Sequence, residues 1–132
     1  MSPIDPTAHK KILVVEDEKP LSKALDVQLT KEGFTVSIAE DGDEAMNSLK
    51  KQDFDLILLD IIMPKMNGFL FLEELQKLNG PSVIILSNLG QKEDVEKGEK
   101  LGAKGYLVKA SNPMTSVVKK VKEVLKECEN PG

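Results

Sequence analysis

Five short apolar segments, separated by stretches of helical length, constrain the fold of this chain more than any other feature. Each is rich in apolar and β-branched residues and shows little polar alternation: Ile12–Val15, Phe34–Ile38, Phe54–Leu59, Val83–Leu86 and Gly105–Val108. Nearly continuous apolar character is typical of strands that are buried on both faces, as in a parallel sheet.

The stretches between these strands have the periodicity and the end signals of helices. The predicted helices are Pro20–Lys31, Asp43–Lys51, Phe69–Leu78, Gln91–Lys100 and Pro113–Glu127. The fourth has few apolar residues and an internal glycine, Gly98, so we expect it to be the most weakly held. Strands and helices in alternation predict an α/β fold, a doubly wound five-stranded parallel sheet with helices on both faces.

Composition removes several classes of function. The 132 residues suit a single domain, and 22 acidic against 18 basic residues argue against binding to a phosphate backbone. No apolar run is long enough for a membrane helix, and the first ten residues lack the apolar stretch of a signal peptide. We therefore expect a cytoplasmic protein that binds neither nucleic acid nor membrane. The single Cys128 and the single His9 argue against disulfides, zinc sites and a Ser-His-Asp triad.

The expected domain covers residues 10–128. Residues 1–9 contain two prolines and no periodicity, so we expect a disordered leader of the kind that a cloning vector can leave. Residues 129–132 are expected to form a short tail. A stand-alone domain and a domain excised from a longer protein are equally compatible with this pattern.

Polar residues follow the predicted strands where the strands end. Glu16 and Asp17 follow the first strand, Asp60 the third and Ser87 the fourth, and Lys109 follows the fifth. Any one of them alone would be interpreted as a turn, cap or surface residue. Ligands of open parallel sheets bind beyond the carboxyl ends of the strands, so these residues should converge.

Such a cluster has a definite chemistry. Carboxylates that lie close together repel unless a cation joins them, and oxygen donors suit Mg²⁺. A carboxylate can act as a nucleophile and form an aspartyl phosphate. A lysine and a serine hydroxyl beside it could neutralise the phosphoryl oxygens and donate to them.

Four stretches, taken together, resemble the receiver domain of two-component response regulators. They are ILVVEDE, LILLDIIMPKMNG, VIILSN and GAKGYLVKA, at Ile12–Glu18, Leu56–Gly68, Val83–Asn88 and Gly102–Ala110. The resemblance covers about residues 10–128, and it is to a single-domain receiver like the chemotaxis regulators. It implies a flavodoxin-like (βα)5 fold with strand order 2-1-3-4-5 and signalling activated by phosphorylation.

The resemblance also implies the chemistry of the site. Asp60 corresponds to the residue that accepts a phosphoryl group from a sensor histidine kinase or a phosphotransfer protein. Glu16, Asp17, Asp60 and the backbone carbonyl of Ile62 correspond to the ligands of Mg²⁺, for which Mn²⁺ could substitute. Lys109 and Ser87 correspond to the catalytic lysine and hydroxyl.

A switch residue and an output face are implied in the same way. Ser87 and Tyr106 correspond to the hydroxyl and the aromatic ring that move on phosphorylation. The face formed by helix 4, strand 5 and helix 5 would then meet a downstream protein target. Such a domain catalyses its own phosphorylation and dephosphorylation and is not an enzyme with a separate substrate.

Three residues depart from the usual family pattern in ways that carry predictions. Ile62 and Leu89 are apolar at positions beside the phosphate that are often polar, so neither can orient an attacking water, and we expect a long-lived phosphate. Ala110 follows the lysine where proline is usual. Since a non-proline cis bond costs about 2.5–4 kcal/mol, we expect a trans peptide between Lys109 and Ala110.

Three other functions remain as alternatives. A pseudo-receiver would bind partners without being phosphorylated, although retention of all five strand-end residues argues against it. A phosphatase of the haloacid dehalogenase class would need a general acid two residues after the nucleophile, where this chain has Ile62. A flavodoxin-like electron carrier would need a phosphate-binding loop after the first strand, where Glu16 and Asp17 would repel the flavin phosphate.

Overall fold

Five strands form one parallel sheet: β1 Lys11–Val15, β2 Thr35–Ala39, β3 Leu56–Leu59, β4 Ser82–Ser87 and β5 Gly105–Val108. Their order across the sheet is β2-β1-β3-β4-β5, and every adjacent pair is parallel. The computed structural model describes residues 10–64 and 66–129, with side chains to residue 127. The predicted leader, residues 130–132 of the predicted tail and the side chain of Cys128 lie outside these. The predicted sheet and strand order are confirmed.

Five helices cover the two faces of the sheet: α1 Lys19–Lys31, α2 Gly42–Lys51, α3 Gly68–Lys77, α4 Lys92–Lys100 and α5 Met114–Glu129. Ile12 and Val14 of β1 face the core beneath α1 and α5. Leu13 and Val15 face the opposite core, beneath α2 and α3. Both faces of β1 are therefore buried, which explains its unbroken apolar sequence. None of the helices in the described part of the chain is long and apolar enough to cross a membrane.

Two helices begin at side-chain caps that orient the loops around the carboxyl edge of the sheet. The Asp41 carboxylate accepts a hydrogen bond from the amide of Glu44 at the start of α2. The Asn67 side chain accepts from the amides of Phe69 and Leu70 at the start of α3. These caps satisfy backbone donors that an uncapped helix would leave exposed.

Two short elements were not predicted. Ile62–Met63 pairs antiparallel with Met66–Asn67 between β3 and α3, and a 3-10 turn spans Lys109–Ser111 after β5. Segments of two or three residues carry no periodicity from which they could be predicted. The expected trans peptide between Lys109 and Ala110 is confirmed, since no cis bond occurs in the described residues.

The glycine inside α4 is a contact point rather than an interruption. Gly98 is the one buried residue of this helix. A Cβ atom built there would lie 2.7 Å from Cδ1 of Ile85 and 3.0 Å from Cδ2 of Tyr106. The helix thus lies directly against β4 and β5 through its backbone, and it has no buried apolar side chain of its own.

A second close approach lies beside the loop after β3 and generates a prediction. A Cβ atom at Gly68 would lie 2.3 Å from the Cα of Ile61, a backbone atom that cannot move alone. Gly68→Ala should therefore lower the free energy of unfolding by about 1–3 kcal/mol in urea denaturation. Gly42→Ala is the matched control, because Gly42 also begins a capped helix but its nearest neighbour, 2.8 Å away, is the flexible Sδ of Met66. Equal losses in the two variants would contradict this explanation.

Candidate functional site

The register of the sheet brings the acidic strand ends together. Val15 of β1 is paired with Leu59 of β3, so the residues that follow them, Glu16 and Asp60, leave the sheet side by side. The amide of Asp60 donates to the carbonyl of Val15 across 3.1 Å. Glu16 and Asp60 are only 2% and 4% exposed, so these two carboxylates lie inside the protein.

One lysine joins these carboxylates. The Nζ atom of Lys109 lies 2.7 Å from Oε1 of Glu16 and 2.9 Å from Oδ2 of Asp60. A third carboxylate, that of Glu18, is 3.1 Å from the same nitrogen and is largely exposed. Sequence reasoning missed Glu18, although its place directly after the acidic pair is a signal that could have identified it. The predicted convergence of Glu16, Asp60 and Lys109 is observed.

The remaining carboxylate oxygens are held by the backbone. Oδ1 of Asp60 accepts from the amide of Ile62 at 2.9 Å, and Oε2 of Glu16 accepts from the amide of Glu18 at 3.1 Å. Each buried carboxylate is thus fixed at both oxygens, one by the lysine and one by an amide. The contact that Ile62 makes with Asp60 uses its backbone amide, and the residue as a whole is 51% exposed.

Burial and neighbouring charges shift the pKa values of Glu16 and Lys109. Burial raises the pKa of Glu16 above its ordinary value, and the charge of Asp60 acts in the same direction, while Lys109 opposes it. Burial alone would lower the pKa of Lys109, but its hydrogen bonds to Glu16 and Asp60 outweigh that effect and the pKa is raised. The lysine therefore stays charged, and the carboxylates around it outnumber it.

Three carboxylates have the chemistry of a divalent-cation site. Glu16, Asp17 and Asp60 each offer an oxygen, and these oxygens lie within 4.8 Å of one another. Anionic oxygen donors at such spacing fit a hard cation such as Mg²⁺, which prefers oxygen ligands. The excess of negative charge over Lys109 makes a further positive charge favourable there.

The predicted switch residues, Ser87 and Tyr106, both bond to the backbone of one residue, Leu89. The Ser87 side chain is fully buried, and its Oγ accepts from the amide of Leu89 at 3.4 Å. The hydroxyl of Tyr106 donates to the carbonyl of the same residue, Leu89. Burial, with the charges of Asp94 and Asp60, raises the pKa of Tyr106 to about 12, so this hydroxyl keeps its proton. Leu89 was predicted to act only through its side chain, and its backbone link to both partners was missed.

Comparisons with known proteins agree on one family. The family model described as "Response regulator receiver domain" matches residues 12–122. A solved CheY-like receiver domain protein from Methanospirillum hungatei is 30% identical with a TM-score of 0.87, covering 95% of this chain and 100% of that one. The receiver domain of the Francisella response regulator 1452 is also 30% identical, with a TM-score of 0.85 and coverage of 91% and 99%.

Curated relatives include longer proteins. A probable transcriptional regulator, ycf27 of Cyanophora paradoxa, is 36% identical over 92% of this chain and 51% of its own length. The transcriptional regulatory protein CpxR of Klebsiella pneumoniae is 39% identical over 88% of this chain and 49% of its own length. The chain thus spans about half the length of the curated relatives it matches. Because these are named as transcriptional regulators, they do not support the expectation that nucleic acid is not bound.

The family model covers most of the chain, and the sheet order is the one that the family resemblance implies. The chain therefore belongs to the family of response regulator receiver domains, whose general function is signalling activated by phosphorylation rather than turnover of a separate substrate.

Proposed function

We propose that Asp60 accepts a phosphoryl group from a sensor histidine kinase or a phosphotransfer protein, and that residues 10–128 act as the receiver unit. The observation that carries this proposal is the environment of the Asp60 carboxylate. It is buried at the end of β3, oriented by the amide of Ile62, and held 2.9 Å from the ammonium of Lys109. A carboxylate fixed in this way is positioned for attack, and the lysine beside it can neutralise the charge that develops.

The reaction needs little beyond positioning and charge. A carboxylate oxygen of Asp60 forms a bond to phosphorus while the bond from phosphorus to the donor's histidine nitrogen breaks. The ammonium of Lys109 exchanges a carboxylate partner for a phosphoryl oxygen. The Ser87 hydroxyl is a donor that can turn towards a second phosphoryl oxygen. No separate substrate is turned over.

Glu16, Asp17 and Asp60, with the backbone carbonyl of Ile62, would hold Mg²⁺ or Mn²⁺, and the ion would supply charge neutralisation at the phosphoryl oxygens. The chain's own part is to keep three carboxylate oxygens close together in spite of their repulsion. The amides of Ile62 and Glu18 do this by fixing two of the carboxylates in place.

Two of the alternative functions, the pseudo-receiver and the phosphatase, are less well supported than the receiver. A pseudo-receiver has no need for a buried aspartate joined to a lysine, and burying such charges is costly. A haloacid dehalogenase-type phosphatase needs a proton donor two residues after the nucleophile, where this chain carries the exposed side chain of Ile62. A receiver function therefore remains the better interpretation, and we propose that the protein acts in the cytoplasm.

The output surface is proposed to be the face formed by α4, β5 and α5. Tyr106 of β5 is joined to the loop before α4 through the Leu89 carbonyl, and its ring contacts α4 at Gly98. A movement of the Ser87 side chain can therefore be transmitted to this face through Leu89. A downstream protein target would read the altered face.

The first prediction tests the phosphoacceptor. Asp60→Asn should abolish Mg²⁺-dependent labelling by acetyl phosphate, measured by intact mass, while the circular dichroism spectrum stays native. Asp53→Asn is the control, because it removes the same charge from an exposed loop residue and should label like the wild type. Wild-type labelling of the Asp60 variant would refute the assignment.

The second prediction concerns α4. With no buried apolar side chain, this helix should open at low free energy, and a phosphoryl analogue at Asp60 should alter its opening. Hydrogen exchange with Mg²⁺ and beryllofluoride should show its largest change within Lys92–Lys100. Asp60→Asn treated in the same way should show no change. An α4 that exchanges identically in both states would exclude it from the response.

The third prediction is a long-lived phosphate. The side chains of Ile62 and Leu89 offer no hydrogen-bond donor or acceptor. Ile62→Asn with Leu89→Glu should therefore speed the loss of phosphate by about tenfold or more, because the new side chains could orient the attacking water and act as a general base. The measurement follows intact mass after the donor is removed. Val27→Asn with Leu78→Glu is the control, because it introduces the same two residues at exposed apolar positions away from the site, on α1 and directly after α3. Equal decay in both double variants would show that the apolar flanks do not set the lifetime.

A further inference from the structure

A groove runs between α2 and α3, outside the residues assigned to the site. Near the carboxyl edge of the sheet it is a cavity of about 270 Å³ whose apolar lining is Met46, Met66, Leu70 and Phe71. A second cavity of about 590 Å³ continues it towards the opposite edge, and Met46 lines both. The two α-helices thus leave between them a trough about as long as α2, whose 10 residues span about 15 Å.

The apolar part of this groove is open to solvent. Leu70 on α3 and Leu78, the residue that follows α3, have exposed fractions of 59% and 64%, and they are two of the large apolar residues that the described part of the chain leaves most exposed. They are two helical turns apart, with Glu74 between them. Methionine side chains on the groove wall can adapt to different partner shapes. An open apolar trough of this length suits the side chains of one amphipathic helix.

The negative charge of the groove lining favours a positively charged partner. Three carboxylates, those of Asp41, Asp43 and Glu74, line the smaller cavity, and none of its described lining residues is basic. Glu74 pairs with Lys77 at 3.5 Å, but both side chains are exposed and such pairs hold their partners weakly. Lys50 lines the larger cavity, so the acidic part of the groove is the smaller cavity. The cap bond of Asp41 leaves its negative charge in place.

Several occupants are disfavoured by the same charges. A nucleic acid or an anionic lipid surface would be repelled by the three carboxylates. A symmetric contact with a second copy would place these carboxylates against each other, with like charges facing across the interface. A basic amphipathic helix satisfies both features, because its apolar side chains fill the trough and its lysines or arginines meet the acidic rim.

We propose that the groove between α2 and α3 is a docking surface for a basic amphipathic helix of a partner protein. This surface is separate from the face formed by α4, β5 and α5, and the proposal does not depend on phosphorylation of Asp60. It can therefore be tested on the unphosphorylated chain.

The probe is a synthetic amphipathic peptide of 14 residues with leucines on one face and lysines on the other. The protein carries methionines labelled with carbon-13 in their methyl groups, and the peptide is titrated while methyl spectra are recorded. Met46 and Met66 should shift saturably. Met114, which packs in the core on the opposite face of the sheet, is the internal reference and should not shift.

Two pairs of variants separate docking from general attraction to an acidic protein. Asp43→Asn with Glu74→Gln should weaken binding about fivefold, since two exposed ion pairs are lost. Glu99→Gln with Glu127→Gln removes the same charge from the exposed ends of α4 and α5 and should leave the dissociation constant within about twofold.

The apolar contribution has its own pair. Leu70→Ser should weaken binding, whereas Val27→Ser, at a comparably exposed apolar side chain on α1, should not. Urea denaturation checks that each variant is folded. A peptide with glutamates in place of the lysines should not bind. The proposal is overturned if no binding occurs, if Met114 shifts like Met46, or if both charge pairs weaken binding equally.

Discussion

The contact of the Lys109 ammonium with two buried carboxylates is the interaction on which the site depends. An unpaired buried carboxylate costs several kcal/mol, and Glu16 and Asp60 would also repel each other. One ammonium within 2.9 Å of both offsets these costs. One positive charge does not neutralise two carboxylates, and Glu18 brings a third negative charge to the same nitrogen. The site is thus held together by a cation and still favours the arrival of another one.

The sheet order explains why a lysine can serve in this way. β4 lies between β3 and β5, so the Lys109 side chain must cross the end of β4 to reach Asp60 at the end of β3. The residue at the end of β4 is Ser87, which is paired with Val108, the residue before the lysine. A small side chain there leaves room for the lysine stem. The same hydroxyl is therefore adjacent to any group that binds between Lys109 and Asp60.

Most of the fold could be predicted because its signals are local. Apolar runs at Ile12–Val15 and Val83–Leu86 mark buried strands whatever lies beside them, and the polar residues that follow mark the edge of the sheet. The missed features depend on three-dimensional neighbours. The bond between Glu18 and Lys109 joins residues 91 positions apart, and only the assembled sheet shows that Gly98 packs against β4 and β5. The comparisons identify the family, but the roles of the individual site residues rest on geometry and chemistry.

The backbone of Leu89 links Ser87 at the site to Tyr106 on the proposed output face. Its amide donates to Ser87 and its carbonyl accepts from Tyr106, so the two peptide groups on either side of one Cα hold the two side chains. If the Ser87 side chain turned towards a phosphoryl oxygen, the Leu89 amide would lose its acceptor, and Leu89, whose carbonyl accepts from Tyr106, would be freer to shift. Each such bond contributes about 0.5–1.5 kcal/mol, which changes a two-state equilibrium by a factor of about 2 to 13. The Tyr106 ring also lies against α4 at Gly98, so a movement of the ring would act directly on that helix. Hydrogen bonds of this energy would bias the position of α4 in the proposed switch, provided that the phosphoryl group binds Ser87 more tightly in one arrangement than in the other.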